Sequence, residues 1–226
     1  MILDQFKLTG RTAIVTGGEG LLGKMMCRTI RELGGKAISV DLKEGADFVS
    51  DITNVLETAY MAAEIKTVDI LINNAVGNQK PVASWDDGWA GDLKTGLKGT
   101  VNMLKSFEPH LKKSKGVVLN MGSDMSLIAP DQSLYPEGMV KPASYSTLKH
   151  GMVGLTKYLA ALWGSQVRVN CLCPGGVQQG QKIPRCPMNR FAELHEMAGP
   201  VAFMISDASS YMTGAVVIVD GGRTAI

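Results

Sequence analysis

Several features that define other protein classes are missing from this sequence. Its 23 basic and 21 acidic residues are interspersed, with no run of lysine or arginine, and they give a net charge of +2. We therefore expect no nucleic-acid partner. No run approaches the ~20 apolar residues of a membrane-spanning helix, and residues 1–11 lack the apolar core of a signal peptide. We expect a cytoplasmic protein with reduced thiols and no membrane contact.

The sequence also lacks a cysteine framework for disulfides or for a metal. Its four cysteines are Cys27, Cys171, Cys173 and Cys186. Cys171 and Cys173 lie in an apolar run predicted as a strand, where neighbouring side chains point to opposite faces, and no histidine is near. This pattern favours core thiols over a metal site. We interpret the three histidines, at positions 110, 150 and 195, as surface or packing residues.

What the sequence does contain is an alternation of short β-branched runs with longer helical stretches. This alternation is typical of a doubly wound parallel sheet. We predict a seven-stranded, Rossmann-type α/β fold with no internal repeat or linker, so that residues 1–226 form a single domain. The predicted strands span residues 12–17, 36–41, 47–51, 68–74, 116–123, 166–175 and 215–222.

The turn after the first predicted strand carries a glycine pattern that is typical of dinucleotide sites. Gly18, Gly20 and Gly23 match G-x-G-x-x-G, and a predicted helix begins at Leu21. Glycine is needed because the turn requires unusual backbone angles and because the backbone must approach a pyrophosphate closely. The start of the helix offers free N–H groups and a positive dipole end to the phosphates. A glycine turn without a ligand is the alternative.

Asp41 favours the dinucleotide over that alternative. It ends the second predicted strand, 18 positions after Gly23, where a carboxylate can bind both hydroxyls of the adenosine ribose. The same charge repels a 2′-phosphate, so we expect NAD rather than NADP. Lys43 lies two residues further on and weakens this preference without reversing it.

A tyrosine and a lysine on one predicted helix suggest acid–base chemistry. Tyr145 and Lys149 stand at i and i+4 of a helix that runs to about Trp163, so they share a face. An ammonium beside the phenol stabilises the phenolate and lowers the pKa of the tyrosine toward the working range. Ser123 ends the fifth strand at the carboxyl edge of the sheet, where its hydroxyl could hold the substrate oxygen.

Together these motifs resemble the short-chain dehydrogenase/reductase family along nearly the whole chain. The shared blocks are TGGEGLLG, Asp51-Ile52, NNA, Ser123, YSTLK, RVNCLCPGG and VDGG, in that order. The resemblance implies that Tyr145 is the acid/base, that Lys149 binds the nicotinamide ribose, and that Ser123 orients the carbonyl. It also implies a cofactor site made of Gly17, Gly18, Gly20, Leu21, Leu22, Gly23, Asp41, Leu42, Asp51, Ile52, Asn74, Ala75, Val76, Tyr145, Lys149, Pro174, Gly175 and Val177.

Within that family, the sequence resembles bacterial oxidoreductases of surface-sugar and flagellin-glycan pathways, including legionaminic-acid-type routes. The GEGLLG turn, the long segment between Ser123 and Tyr145, and the ending DASSYMTGAVVIVDGG carry this similarity. It implies action on a secondary alcohol or ketone of a sugar or nucleotide-sugar. Two alternatives stay open: a reductase of another carbonyl compound, such as a 3-oxoacyl thioester, and a dinucleotide-binding scaffold without turnover.

Three departures from the family pattern bear on turnover. Gly96 stands where members usually carry an asparagine that supports a water in the proton relay, and Asn102 is too far along the helix to replace it. Val76 replaces the usual glycine after NNA. The span 177–193, which covers the substrate in the family, is short here. These departures favour the scaffold alternative, whereas the intact catalytic trio opposes it.

An apolar stripe on the helix of Tyr145 indicates self-association. Its members, at spacings of four and three, are Leu148, Met152, Leu155, Leu159 and Leu162. Such a stripe must be buried, and packing on the protein's own sheet is one way. If Gly151 and Gly154 face the sheet instead, part of the stripe points outward. Because this helix and the preceding long one pair across two-fold axes in the family, we expect a homotetramer or a homodimer.

Overall fold

Seven strands form one sheet in the computed structural model, which describes residues 1–77, 80–177 and 186–226. The strands are β1 Thr12–Thr16, β2 Lys36–Asp41, β3 Phe48–Val49, β4 Ile70–Asn73, β5 Val117–Met121, β6 Arg168–Pro174 and β7 Val216–Val219. They lie in the order β3-β2-β1-β4-β5-β6-β7, and every neighbouring pair is parallel. The predicted Rossmann-type sheet is confirmed.

Helices cover both faces of the sheet, which explains why its central strands are apolar almost throughout. The α-helices are α1 Leu21–Glu32, α2 Val55–Glu64, α3 Trp89–Asp92, α4 Thr100–Ser114, α5 Ala143–Trp163 and α6 Ala198–Ile205. Helices α1 and α6 share a buried apolar cluster with Val15 and Leu119, and α2, α4 and α5 share another with Ile14 and Val118. None of the helices in the described part of the chain is long and apolar enough to cross a membrane.

The winding direction reverses at β1, which pairs with β2 on one side and with β4 on the other. Open sheets of this kind form a crevice beyond the carboxyl ends of the two diverging strands. Here the two ends are tied together, because Thr16 Oγ1 accepts the N–H of Asn74 at 3.0 Å and Asn74 Nδ2 donates to the Thr16 carbonyl at 3.0 Å. These hydrogen bonds therefore hold the carboxyl ends of β1 and β4 together at the base of the crevice.

Most observed strands end earlier than the predicted ones. Gly17, Asn74, Ser123 and Gly175 were placed at the ends of strands by their apolar runs, yet each lies beyond the last residue of its strand. All four follow carboxyl ends, so they enter the loops at the edge where the crevice opens. The difference moves these residues into the candidate site rather than away from it.

The apolar stripe of α5 is mostly buried within the chain itself. Three of its five members are buried: Leu148, Met152 and Leu159. Leu162, by contrast, is 60% exposed. A Cβ added at Gly151 or Gly154 would meet no atom within 4 Å. The prediction that these two glycines face the sheet is therefore wrong, and they lie on the open side of the helix.

Candidate active site

A cleft of about 730 Å³ opens at the carboxyl edge of the sheet. Ser123, Tyr145 and Lys149 all line it. Of the residues predicted to bind a cofactor, all except Gly18 and Gly23 line the same cleft. Motifs that are scattered over the length of the sequence are therefore brought to one cavity.

The glycine turn presents backbone rather than side chains to this cleft. Gly17 has a φ of +64°, a value that residues with a Cβ rarely adopt, and Gly20 is the N-cap of α1. Gly18 and Gly23 make the turn compact instead. A Cβ on Gly18 would lie 2.5 Å from the Cβ of Ser39, and one on Gly23 would overlap the Gly17 carbonyl oxygen. Gly17 and Gly20 line the cleft without a side chain, so the start of α1 can present backbone N–H groups there, as an anion site requires.

Asp41 lies at the outer end of the cleft. Its Oδ2 accepts the N–H of Glu19 at 3.0 Å and its Oδ1 accepts the N–H of Lys43 at 3.2 Å. The carboxylate therefore joins the end of β2 to the glycine turn while it lines the cleft beside Asp51 and Ile52. Lys43 lines the cleft as well, so the cation expected to weaken the preference for NAD also lies at this end.

Ser123, Tyr145 and Lys149 meet at the inner end, where all three are more than nine-tenths buried. Lys149 Nζ donates to the carbonyl of Met121 at 2.6 Å and lies 5.7 Å from the centre of the Tyr145 ring. Burial lowers the pKa of Lys149 to about 8, because the ammonium is removed from water.

The environment of Tyr145 favours the protonated phenol. Burial raises its pKa well above the ordinary value, a hydrogen bond to Ser123 opposes part of the rise, and the negative charge of Asp124 adds to it. The lowering expected from Lys149 does not offset the effect of burial. In the protein alone Tyr145 is therefore a proton donor, and an added positive charge beside it would favour the phenolate.

The cleft as a whole fits a dinucleotide. A carboxylate for ribose hydroxyls stands at the outer end, the glycine turn and the start of α1 form the middle, and the buried trio closes the inner end. The turn packs closely on the loop after β4, since a Cβ on Gly17 would lie 3.0 Å from Ala75 Cα, so both loops line the cleft side by side. A nicotinamide ring at the inner end would lie beside Tyr145 and Lys149.

Three charged residues that the sequence patterns did not single out also line the inner end: Asp124, Lys141 and Arg223. Lys141 Nζ lies 4.0 Å from the centre of the Tyr145 ring, and burial lowers the pKa of Lys141 to about 8. Asp124 directly follows Ser123, and Arg223 directly follows the VDGG block. For Asp124, the place beside Ser123 was the available signal, whereas no short motif marks the contacts that Lys141 and Arg223 make.

The structure accounts for Gly96, the departure that put the proton relay in doubt. A Cβ at Gly96 would overlap the side chain of Leu148, so Leu148 fills the space that an asparagine side chain needs. The Gly96 carbonyl accepts the hydroxyl of Thr100 at 2.8 Å. Asn102 does not replace the asparagine, because its Nδ2 donates to the carbonyl of Ile52 at 3.0 Å, at the other end of the cleft.

Val76, the second departure, lines the cleft. In the short span 177–193, residues 178–185 lie outside the part of the chain that the structure describes. Phe191, at the far end of that span, lines the cleft and packs beside Gly176. At least one large apolar side chain of the span therefore faces the substrate end.

The cysteines and histidines lie away from the cleft lining. Cys171 and Cys173 are core thiols, as expected, but their Sγ atoms are only 3.8 Å apart. The expectation that they point to opposite faces was wrong, because residues two positions apart in a strand share a face. Within the described ranges, no group of three or more metal-binding side chains occurs.

The chain is similar to known proteins over nearly its whole length. A family model described as enoyl-(acyl carrier protein) reductase matches residues 5–224. D-threitol dehydrogenase of Mycolicibacterium smegmatis is 31% identical, over 97% of this chain and 95% of its own length. A short-chain dehydrogenase from Leptospira borgpetersenii, solved with bound NAD+, has a TM-score of 0.88 at 27% identity and covers 96% of this chain and 94% of its own. A gluconate 5-dehydrogenase from Burkholderia cenocepacia, in complex with NADP and tartrate, has a TM-score of 0.86 at 25% identity over the whole of both chains.

The buried ammonium of Lys149 leads to a prediction about stability and pH. Below about pH 8 Lys149 is charged in both the folded and the unfolded chain, so its burial is destabilising. Above pH 8 the folded chain loses this proton first, and the penalty is relieved as the pH approaches the ordinary lysine pKa. We expect Lys149→Met to be more stable than the parent at pH 7, with an advantage that shrinks by pH 10. Urea unfolding of the cofactor-free protein at both pH values measures this.

Lys157→Met provides the matched control, because Lys157 is exposed on the same helix. It should change the free energy of unfolding little and equally at both pH values. A Lys149→Met advantage that is absent, or that is the same at pH 7 and pH 10, would contradict a destabilised ammonium.

Proposed function

The chain belongs to the short-chain dehydrogenase/reductase family of oxidoreductases, and on that premise we propose that it transfers a hydride between NAD and a secondary alcohol or ketone of a sugar or polyol. The observation that carries the proposal is the convergence of Ser123, Tyr145 and Lys149 at the buried inner end of the cleft. The names of similar proteins, D-threitol dehydrogenase and gluconate 5-dehydrogenase, support the substrate class.

The bound nicotinamide would supply or accept the hydride, and the chain's own residues would manage the proton. In carbonyl reduction, the Tyr145 phenol donates its proton to the oxygen of the substrate. Ser123 holds that oxygen within reach of the phenol. Lys149, fixed by the Met121 carbonyl, places a positive charge near the phenolate that remains and binds the ribose hydroxyls. Burial of all three excludes water from the proton transfer.

Replacing the phenol tests the chemistry. Tyr145→Phe removes the proton donor and little else, so we expect NADH binding to persist while kcat falls by about 10²-fold or more. Turnover is followed by NADH absorbance with keto-sugars, keto-polyols, a 3-oxoacyl thioester and simple ketones as substrates.

Tyr211→Phe is the control, because Tyr211 is fully exposed and its hydroxyl lies outside the cleft lining. It should turn over like the parent. Normal turnover by Tyr145→Phe would mean that the catalytic assignment is incorrect. NADH binding without turnover of any compound in the panel would favour the scaffold alternative.

We propose NAD rather than NADP as the cofactor. The support is the Asp41 carboxylate at the outer end of the cleft, held there by the N–H groups of Glu19 and Lys43. A fixed negative charge repels a 2′-phosphate, and it accepts hydrogen bonds from free ribose hydroxyls. The Lys43 ammonium would attract a 2′-phosphate, but Lys43 lies two residues beyond the end of β2.

Removing the Asp41 carboxylate should narrow the difference in affinity between NADH and NADPH. Asp41→Ala loses the hydrogen bonds to NAD and the repulsion of NADP, so we expect Kd for NADH to rise and Kd for NADPH to fall. Isothermal titration calorimetry measures both. Glu44→Ala is the control, since it removes a nearby exposed charge that does not line the cleft. Tighter binding of NADPH than of NADH by the parent chain would overturn the proposal.

The finer substrate proposal is a sugar or nucleotide-sugar of a surface-glycan pathway, acted on in the cytoplasm. Its support is the sequence resemblance, together with a polar inner end that contains Asp124, Lys141 and Arg223. Hydroxyl-rich substrates can use such groups, whereas an acyl chain gains little from them. The 3-oxoacyl thioester stays as the alternative, favoured by a relative that is 26% identical and is named 3-oxoacyl-[acyl-carrier-protein] reductase, and the substrate panel above separates the two.

We also infer that the chain forms a homotetramer or homodimer through the open side of α5. Gly151 and Gly154 leave this side without bulk, and Tyr158 and Leu162 on it are 65% and 60% exposed. Small residues allow two helices to approach closely, and the exposed apolar groups gain from burial. A two-fold axis would bring the same surface together twice.

Light scattering at micromolar concentration should therefore give at least twice the chain mass of 24.1 kDa. Leu162→Glu places a charge in the proposed contact, and we expect it to shift the protein toward monomer. Val49→Glu, an equally exposed apolar position outside α5, should not. A monodisperse monomer of the parent chain would contradict the inference.

A further inference from the structure

The carboxylate of Asp124 holds Ser123, the serine assigned to catalysis, in place. Asp124 Oδ1 accepts the hydroxyl of Ser123 at 2.7 Å and the N–H of Met125 at 2.8 Å. Its other oxygen, Oδ2, lies 3.4 Å from Nε of Arg223. Asp124 is 3% and Arg223 is 8% exposed, and both line the cleft. An ion pair is thus buried against the reacting groups, where charges interact strongly.

Arg223 reaches this position because of how the chain turns after β7. Gly221 and Gly222 have φ values of +67° and +87°, so the turn requires glycine. The Asp220 carboxylate then accepts the N–H groups of Gly222 at 2.8 Å and Thr224 at 2.7 Å. This cap fixes the short helical turn Arg223–Ala225. A segment nearly 100 residues from Asp124 in sequence is thereby locked beside it.

We propose that Asp124 and Arg223 are a positioning pair for the catalytic acid: Asp124 orients the Ser123 hydroxyl and places a negative charge near Tyr145, and Arg223 offsets that charge. The inference rests on the proposed function, in which Tyr145 exchanges the substrate proton.

Hydrogen-bond geometry explains the orientation. A serine hydroxyl has one proton to donate, and in this arrangement that proton points to Asp124. The Ser123 oxygen accepts the N–H of Met125 at 3.2 Å, so the serine is fixed between Asp124 and the backbone, and a substrate oxygen can take its proton only in competition with Asp124. A hydroxyl held by Asp124 is also less free to donate to the Tyr145 phenolate, so Asp124 favours the protonated phenol.

Electrostatics adds to the same effect with a defined sign. The negative charge of Asp124 raises the pKa of Tyr145, as do Asp92 and Tyr135 more weakly. Two cations also lie near the ring: Lys141 Nζ at 4.0 Å and Lys149 Nζ at 5.7 Å from its centre. Arg223 partly neutralises Asp124. Removing Asp124 and removing Arg223 should therefore shift Tyr145 in opposite directions, which a loss of packing alone would not do.

The test is a direct titration of Tyr145 in the NAD+-bound protein, which needs no substrate. Tyrosine labelled with ¹³C at Cζ reports ionisation by NMR, and the resonance of Tyr145 is the one that Tyr145→Phe removes. We expect Asp124→Asn to lower the midpoint by on the order of one pH unit and Arg223→Met to raise it similarly. Arg223→Lys, which keeps the cation, should stay near the parent value, and the double variant should fall between the single ones.

Controls come from an ion pair outside the cleft, Arg11 and Asp207, whose Nη2 and Oδ1 atoms lie 2.6 Å apart. Arg11→Met and Asp207→Asn should leave the midpoint unchanged. Shifts of the same sign in Asp124→Asn and Arg223→Met, or no shift in either, overturn the inference while the proposed function stands. Normal turnover by Tyr145→Phe instead removes the proposed function itself.

Discussion

The site depends on one constraint: a parallel sheet covered by helices on both faces places the starts of its helices, with their free N–H groups, at the carboxyl edge of the strands. Ladder hydrogen bonds and two apolar clusters occupy the rest of the sheet. At β1, where winding reverses, the crevice between diverging loops becomes a cleft. The hydrogen bonds between Thr16 and Asn74 hold its floor. The residues assigned to cofactor or chemistry lie at the end of a strand, in the loop or helix start that follows one, or on α5.

The inner end of the cleft contains charged groups, and burying each of them alone would be unfavourable. The Lys149 ammonium is satisfied by a single carbonyl, and the Asp124 carboxylate by Ser123, Met125 and Arg223. Breaking such a set is costly because it leaves an uncompensated charge. The apolar clusters on both faces supply the stability that tolerates this arrangement, which is the usual relation between a core and an active site.

Much of this could be predicted from local sequence. The fold followed from alternating patterns, with β2 placed at both ends, and the cleft-lining glycines, Asp41 and Tyr145 followed from short motifs. Arg223 could not be found in this way, because its contact with Asp124 depends on the turn that follows β7. The open side of α5 was misjudged because Gly151 and Gly154 were taken to face the sheet, whereas most of the apolar stripe is the buried side. The position of Leu148 beside Gly96 likewise depends on tertiary packing, which local sequence does not show.

In the proposed function, the cleft aligns a nicotinamide with a substrate carbonyl beside Tyr145. The most direct measurement is isotope transfer from NADH that carries deuterium in both positions at nicotinamide C4 to a keto-sugar or keto-polyol, with the product analysed by mass spectrometry and NMR. We expect deuterium on the new carbinol carbon with the parent chain and almost none with Tyr145→Phe. Product without deuterium, or equal incorporation by Tyr145→Phe, would contradict the proposed function.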